Sequence, residues 1–166
     1  MKAQYEYENK EIQKAGCFLL SHISFFETSS RKISDSMVQR IYDVLVSKKL
    51  MEKNCFIGAK KEEILFAIGE VVGRPVKDCC YIGKWYPDRP LEYSNPLAKA
   101  YHKVFSSNKH SRFCIEEYRD AKGNQHFFQV DVRGNEIYDP YPLSPTVRYG
   151  KRASTRLYYI QFEDEA

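Results

Sequence analysis

A cysteine stands where a helix should begin. In "QKAGCFLL", residues 13–20, a Gly-Cys pair follows a charged, tyrosine-rich lead-in and precedes apolar residues at helical spacing. A helix N-terminus presents unpaired backbone N–H groups and the positive end of the peptide dipole, and both favour a thiolate. A thiolate in that position does hydrolytic chemistry when an imidazole stands beside it as an ion-pair partner and proton carrier. Gln13, four residues before Cys17, adds an amide that can donate to a developing oxyanion.

The partner imidazole is sought in "HFFQVDVRGNEIYDP", where two strand-like runs flank Arg133-Gly134-Asn135. A two-residue turn makes paired residue numbers add to 267 or 269. Either sum is odd, so even positions of the first strand share a face with odd positions of the second. That face carries His126, Phe128, Val130 and Val132 with Ile137 and Asp139, and its apolar character marks it as the expected core face. In the 267 register Asp139 is opposite Phe128 and diagonal to His126, about 7–8 Å away and within reach of long side chains. A three-residue loop would put the pair on opposite faces. Taken alone, His126 also reads as a satisfied core histidine and Asp139 as a turn cap before Pro140. Cys17 changes the balance. The first helix needs an apolar surface to cover, and packing on this sheet would carry its N-terminus to His126.

The elements that must position these groups are legible in outline. Residues 17–28 read as a buried helix, with Leu19, Ile23 and Phe26 on one face. A second helix starts at Ser34 or Asp35 and runs to about Leu50, and a third spans 61–72 and stops at Gly73. "PLAKAYHKVF" suggests a short helix. The runs "RFCIEEYR", "QHFFQVDV", "EIYD" and "RLYYIQF" read as strands. Helices first and an antiparallel sheet second is the α+β pattern, expected here as one domain over 1–166 with a helical part at about 13–75 and a sheet part at about 111–162. Between them, from Val76 to Pro96, the chain is rich in Pro and aromatics and reads as a long ordered loop with room for a short strand. It is expected as cover for the sheet edge or, through Trp85 and Tyr86, as a wall of a substrate groove.

Composition narrows the function. Apolar residues make up 43% and charged residues 29%, and no stretch approaches the ~18 uncharged apolar residues of a membrane span. The polar N-terminal residues do not read as a secretory signal. The net charge of +4 is scattered and interleaved with Glu and Asp, so no nucleic-acid partner is expected. Five cysteines without a C-x-x-C argue against a disulfide framework or a zinc site, and point to reduced thiols and a cytoplasmic location. No metal and no cofactor are expected. His22 reads as packed in the first helix, and His102 and His110 as surface residues.

The order Gln, Gly-Cys opening a helix, then His starting a strand, then Asp-Pro after the next strand resembles the papain-like cysteine peptidases. It is most similar to the small branch of bacteriocin-processing, double-glycine peptidases and to small bacterial proteins of unassigned function. The resemblance runs from Gln13 to about Pro142 and rests on short motifs. It implies a papain-like fold and a peptide or protein substrate. It implies Cys17 as nucleophile, His126 as general base and acid, and Asp139 as the orienting residue. Gln13, with the Cys17 N–H, would form the oxyanion hole. In the family the glutamine usually stands about six residues before the cysteine; here it stands four before. A peptide-binding module that keeps the fold without turnover is the alternative.

Overall fold

The computed structural model describes residues 1–105 and 111–164. Asn9 opens helix α1 (Lys10–Ala15), its side chain accepting from the Glu11 and Ile12 N–H groups. α1 ends at Gly16, and α2 (Cys17–Ser24) starts at the next residue. The Gly16 backbone is ordinary right-handed; what demands glycine there is space. A Cβ would sit 2.6 Å from the Ile12 carbonyl oxygen and 2.9 Å from its Cγ2. Ser34 caps α3 (Asp35–Ser47) by accepting from the Met37 N–H, and α4 (Lys61–Val72) stops at Gly73 with a left-handed φ of 71°. α2 is shorter than its apolar run suggested, because Phe25 and Phe26 leave the helix yet stay buried.

The remaining elements are β1 (Val76–Tyr86), β2 (Arg89–Tyr93), α5 (Pro96–Phe105), β3 (Ser111–Arg119), β4 (Gln125–Val130), β5 (Glu136–Tyr138), α6 (Pro145–Tyr149) and β6 (Lys151–Phe162). The six strands form one sheet in the order β2-β1-β6-β3-β4-β5, and every pairing is antiparallel. The α+β class is as the sequence suggested, but the sheet is not confined to 111–162. Residues 76–93, expected as a loop, supply two of its strands. The prolines misled because of where they fall. Pro87 lies in the connection, and Pro90 lies on edge strand β2, where a missing N–H breaks no ladder.

Both faces of the sheet are covered. On one, Ile115, Phe127, Tyr158, Ile160 and Phe162 pack with Leu19, Leu20, Ile23, Ile41, Leu45 and Ile64 of the helices. On the other, here called the outer face, Ile82, Cys114, Phe128, Val130, Leu157 and Tyr159 form a smaller core, to which α5 adds Tyr101 and α6 adds Val147. This corrects the expected core face. The even positions of β4 point outward, and α2 packs on the odd ones, with the Phe18 ring 4.6 Å from that of Phe127. Phe127 and Phe128 are both buried, so alternation in β4 gives no bearing on which side the helices lie. Val132 and Ile137, assigned to the same apolar face, are exposed.

The β4–β5 turn also differs from expectation. The Asp131 N–H donates to Asn135 O, so three residues close the loop, with Gly134 at φ 87°. Val130 pairs with Glu136, and a bulge then brings Gln129 opposite Tyr138. The extra loop residue and the bulge offset each other. Beyond them the register is the 267 one, with His126 and Asp139 brought together.

A buried ion pair ties the helix face to the sheet. Arg156 Nη1 donates to Glu117 Oε1 at 2.9 Å and Arg119 Nη2 to Oε2 at 2.6 Å. The Arg156 guanidinium lies 5.2 Å from the Phe18 ring centre and 5.0 Å from that of Phe127. Burial pushes the Glu117 pKa up, but its guanidinium and amide donors together hold it below the usual carboxylate range. Removing one member of such a pair costs about 3–5 kcal/mol, because the other charge stays buried alone. Among the described residues no helix is long and apolar enough to cross a membrane.

His22 is fully buried, its Nδ1 2.8 Å from Phe18 O and its Nε2 2.8 Å from the Tyr158 hydroxyl. Burial lowers its pKa from 6.5 to about 3. The unfolded chain therefore binds a proton that the folded one refuses. The stability this residue contributes is present above pH 6.5 and is lost as the pH falls from there towards 3. His22→Gln should flatten the acid side of the stability curve, measured as urea midpoints between neutral and acid pH. An unchanged acid slope would show that another group governs acid unfolding.

Candidate active site

The joint between α1 and α2 fixes Cys17. Gly16 N–H donates to Ile12 O at 2.9 Å and Leu20 N–H to Gly16 O at 2.8 Å, so the chain passes from one helix to the next with the cysteine as first residue of α2. As that first residue, Cys17 has no intrahelical partner for its N–H.

His126 is the second residue of β4, beyond the last β4–β5 backbone pair. Its ring is 3% exposed and stacks on Phe128, with centroids 5.8 Å apart. Nε2 lies 2.6 Å from Asp139 Oδ1, and the same oxygen accepts from the Tyr141 N–H at 2.8 Å. Cys17 and His126 share the wall of one cavity, and with Nε2 taken by Asp139 it is Nδ1 that is left for the sulfur. Burial is the largest influence on the imidazole and lowers its pKa. The hydrogen bonds from Asp139 and Cys17, with the charge of both, outweigh it and raise the value from 6.5 to about 9. Burial raises Cys55, Cys79 and Cys114 to about 12 and Cys80 to about 11, so they stay protonated thiols.

Cys17 and His126 open into one cavity of about 440 Å³, whose wall includes Gln4, Gln13, Tyr141 and Ser144. Gln13 thus lies at the site, but its side chain is engaged with the N-terminal segment. Nε2 donates to Tyr7 O, and Lys10 Nζ donates to Oε1 at 3.4 Å. Gln4, which the sequence did not single out, is the second amide there. It is buried, its Nε2 donates to Gln13 O at 2.9 Å, and its Oε1 has no partner among the described residues. Its own N–H donates to Pro140 O at 2.6 Å, so residues around position 4 brace the turn that carries Asp139. Nothing in the local pattern around Gln4 marked it. Its place depends on a contact with a segment more than a hundred residues away.

Trp85 and Tyr86 are elsewhere. They line a separate cavity on the outer face and share no wall with Cys17, because β6 and β3 lie between β1 and β4 in the sheet. His102 is half-buried, with Nδ1 3.1 Å from the Tyr159 hydroxyl, and His110 lies outside the described residues. Comparison of the chain with protein-family models, curated proteins and solved structures returned no match.

Two outcomes are expected. Under limiting iodoacetamide at neutral pH, peptide mass spectrometry should find Cys17 alkylated before the other four thiols; earlier labelling of Cys80, the other half-buried cysteine, would remove Cys17 from this role. Gly16→Ala should slow that labelling and destabilise the fold by about 1–3 kcal/mol, the usual cost of overpacking. The second outcome concerns alkaline pH. The folded protein keeps the His126 proton up to about pH 9 and the unfolded chain loses it near 6.5, so this contribution is complete below 6.5 and disappears as the pH rises through 9. His126→Gln should abolish that part of the alkaline decline in urea midpoint.

Proposed function

We propose that this chain is a thiol hydrolase of papain-like type, acting on a peptide or amide bond of a peptide or protein substrate through Cys17, His126 and Asp139. One observation carries the reading: His126 holds Asp139 at 2.6 Å through Nε2 and shares a cavity wall with Cys17, so a thiol, an imidazole and a carboxylate are gathered at one site. The position of the cysteine at the start of α2 and the raised pKa of His126 support it further.

In this reaction the Cys17 sulfur attacks the carbonyl carbon, and the carbonyl electrons move to oxygen. The Cys17 N–H is a donor for that oxyanion. The imidazolium of His126 gives its Nδ1 proton to the departing amine as the C–N bond breaks. Water then attacks the thioester, His126 takes its proton, and the acid leaves with Cys17 restored. Asp139 holds the ring with Nδ1 turned to the sulfur throughout.

A second reading, a peptide-binding module of the same fold without turnover, is favoured by one observation: the Gln13 amide nitrogen donates to Tyr7 O, which occupies the side chain proposed for the oxyanion hole. Turnover of a generic peptide and amide library separates the two readings.

An imidazolium carries protons on both nitrogens, so the third residue must accept a hydrogen bond but need not be charged. Asp139→Asn should therefore keep measurable turnover, about tenfold below the native chain, or ~1.4 kcal/mol. Asp139→Leu, which offers no acceptor, should lose far more. Cys17→Ala and His126→Ala should be inactive, with all variants checked for fold by circular dichroism. Native rates in Asp139→Leu would show that Asp139 only caps the turn before Pro140.

A further inference from the structure

The outer face of the sheet holds a cavity of about 310 Å³ that the chemistry of Cys17 does not use. Cross-strand pairing builds its floor. Trp85 of β1 is opposite Thr155 of β6, Thr155 is opposite Glu116 of β3, and Glu116 is opposite Phe128 of β4, so these four side chains form one row on one face. Glu116 is 7% exposed, lines the cavity, and has no hydrogen-bond partner among the described residues. Trp85 and Tyr86 stand beside it, and the exposed Arg133 and Arg152 belong to the rim.

A buried carboxylate without a donor is costly, and native folds rarely leave one so. Glu117, the next residue on the same strand, shows the ordinary solution, with two guanidiniums and an amide around it. Glu116 has only the more distant charge of Arg152, and burial raises its pKa. The Glu116 oxygens open into the cavity, so their donor is water or a solute that displaces it. A divalent cation needs several oxygen ligands. The lining has two carboxylates, but Asp131 already accepts from the Arg133 and Asn135 N–H groups and the Asn135 amide, and two arginines stand nearby. A simple anion would meet Glu116. An ammonium group suits both the carboxylate and the indole face of Trp85. The arginines at the rim then call for a negative group a few atoms away, because an unbalanced cation would meet their charge on entering. The cavity size is at the lower end for small-molecule sites, which run from about 300 to 1,000 Å³.

We propose that this outer-face cavity binds a small zwitterion of the α-amino-acid type, its ammonium on Glu116 and against Trp85, its carboxylate towards Arg152 and Arg133. The site is independent of the thiol chemistry proposed for the opposite end of β4.

Trp85 is the chain's only tryptophan, so its fluorescence, excited where tyrosine does not absorb, reports on this cavity alone. The full chain is titrated singly with the common L-amino acids other than tryptophan and tyrosine. At least one should give a saturable change in Trp85 emission. For that amino acid, the N-acetyl derivative, which has no ammonium, should bind about tenfold or more weakly, the scale of one charge-assisted hydrogen bond. The amide derivative, which has no carboxylate, should bind severalfold more weakly. Glu116→Gln should abolish the response while raising the melting temperature, since it removes an unpaired buried acid, and Arg152→Gln should weaken binding. The rate of Cys17 alkylation should be the same in both variants. Absence of saturation with every amino acid, equal binding of the N-acetyl derivative, or native affinity in Glu116→Gln would each overturn the proposal. Equal or tighter binding of the amide derivative would overturn its zwitterion assignment in favour of a simple cation.

Discussion

The backbone pairing of β6 between β1 and β3 is the interaction on which the rest of the molecule depends. β6 runs from Lys151 to Phe162, with β1 on one side along Val76–Trp85 and β3 on the other along Ser111–Arg119. Without it the β1–β2 hairpin and the β3–β4–β5 meander would be separate pieces, each with an open edge. Its side chains serve both layers. Tyr158, Ile160 and Phe162 fill the core under the helices, and Leu157 and Tyr159 fill the core on the outer face. The helices then have one continuous floor, and α2 can lie on β4 with its first residue at the end of that strand.

Polar groups are placed at the margins of this floor with unequal treatment. His22 is buried neutral between Phe18 O and Tyr158, Glu117 is buried charged among four donors, and His126 is buried charged between Asp139 and Cys17. Each is a different answer to the same desolvation cost: loss of the proton, full pairing, and pairing that leaves one partner facing a cavity. The last is the arrangement in which a proton has somewhere to go.

How much of this was legible in the sequence follows from how local each signal is. The helix 61–72 and its glycine stop, the Ser34 cap and the strand runs are written in neighbouring residues, and they were readable. The His126–Asp139 pair was readable because it spans one hairpin, in which an extra loop residue and a bulge compensate each other. The face of the sheet that α2 covers was not readable, since Phe127 and Phe128 are both buried and the outer layer comes from α5 and α6. Residues 76–93 were misread because prolines on an edge strand look the same in sequence as prolines in a loop. Gln4 had no local signal at all. α1 was missed because it is only six residues long and takes its start from a side-chain cap on Asn9.

The brace that the N-terminal residues place on the Asp139 turn has a consequence for the order of events in folding. Gln4 N–H bonds Pro140 O, and the Tyr138 hydroxyl donates to Lys2 O across a sequence separation of 136 residues. Contacts of such range form slowly, because the chain entropy of the intervening loop is lost before the contact repays it. The central position of β6 adds a second closure of the same kind, joining it to β1 across α5, α6 and the four other strands. While the chain is still incomplete in this sense, Asp139 has no fixed place and His126 has no reason to hold its proton above the ordinary histidine range. The charged imidazole beside Cys17 is therefore a late product of folding, and a partly folded or nascent chain presents Cys17 without it.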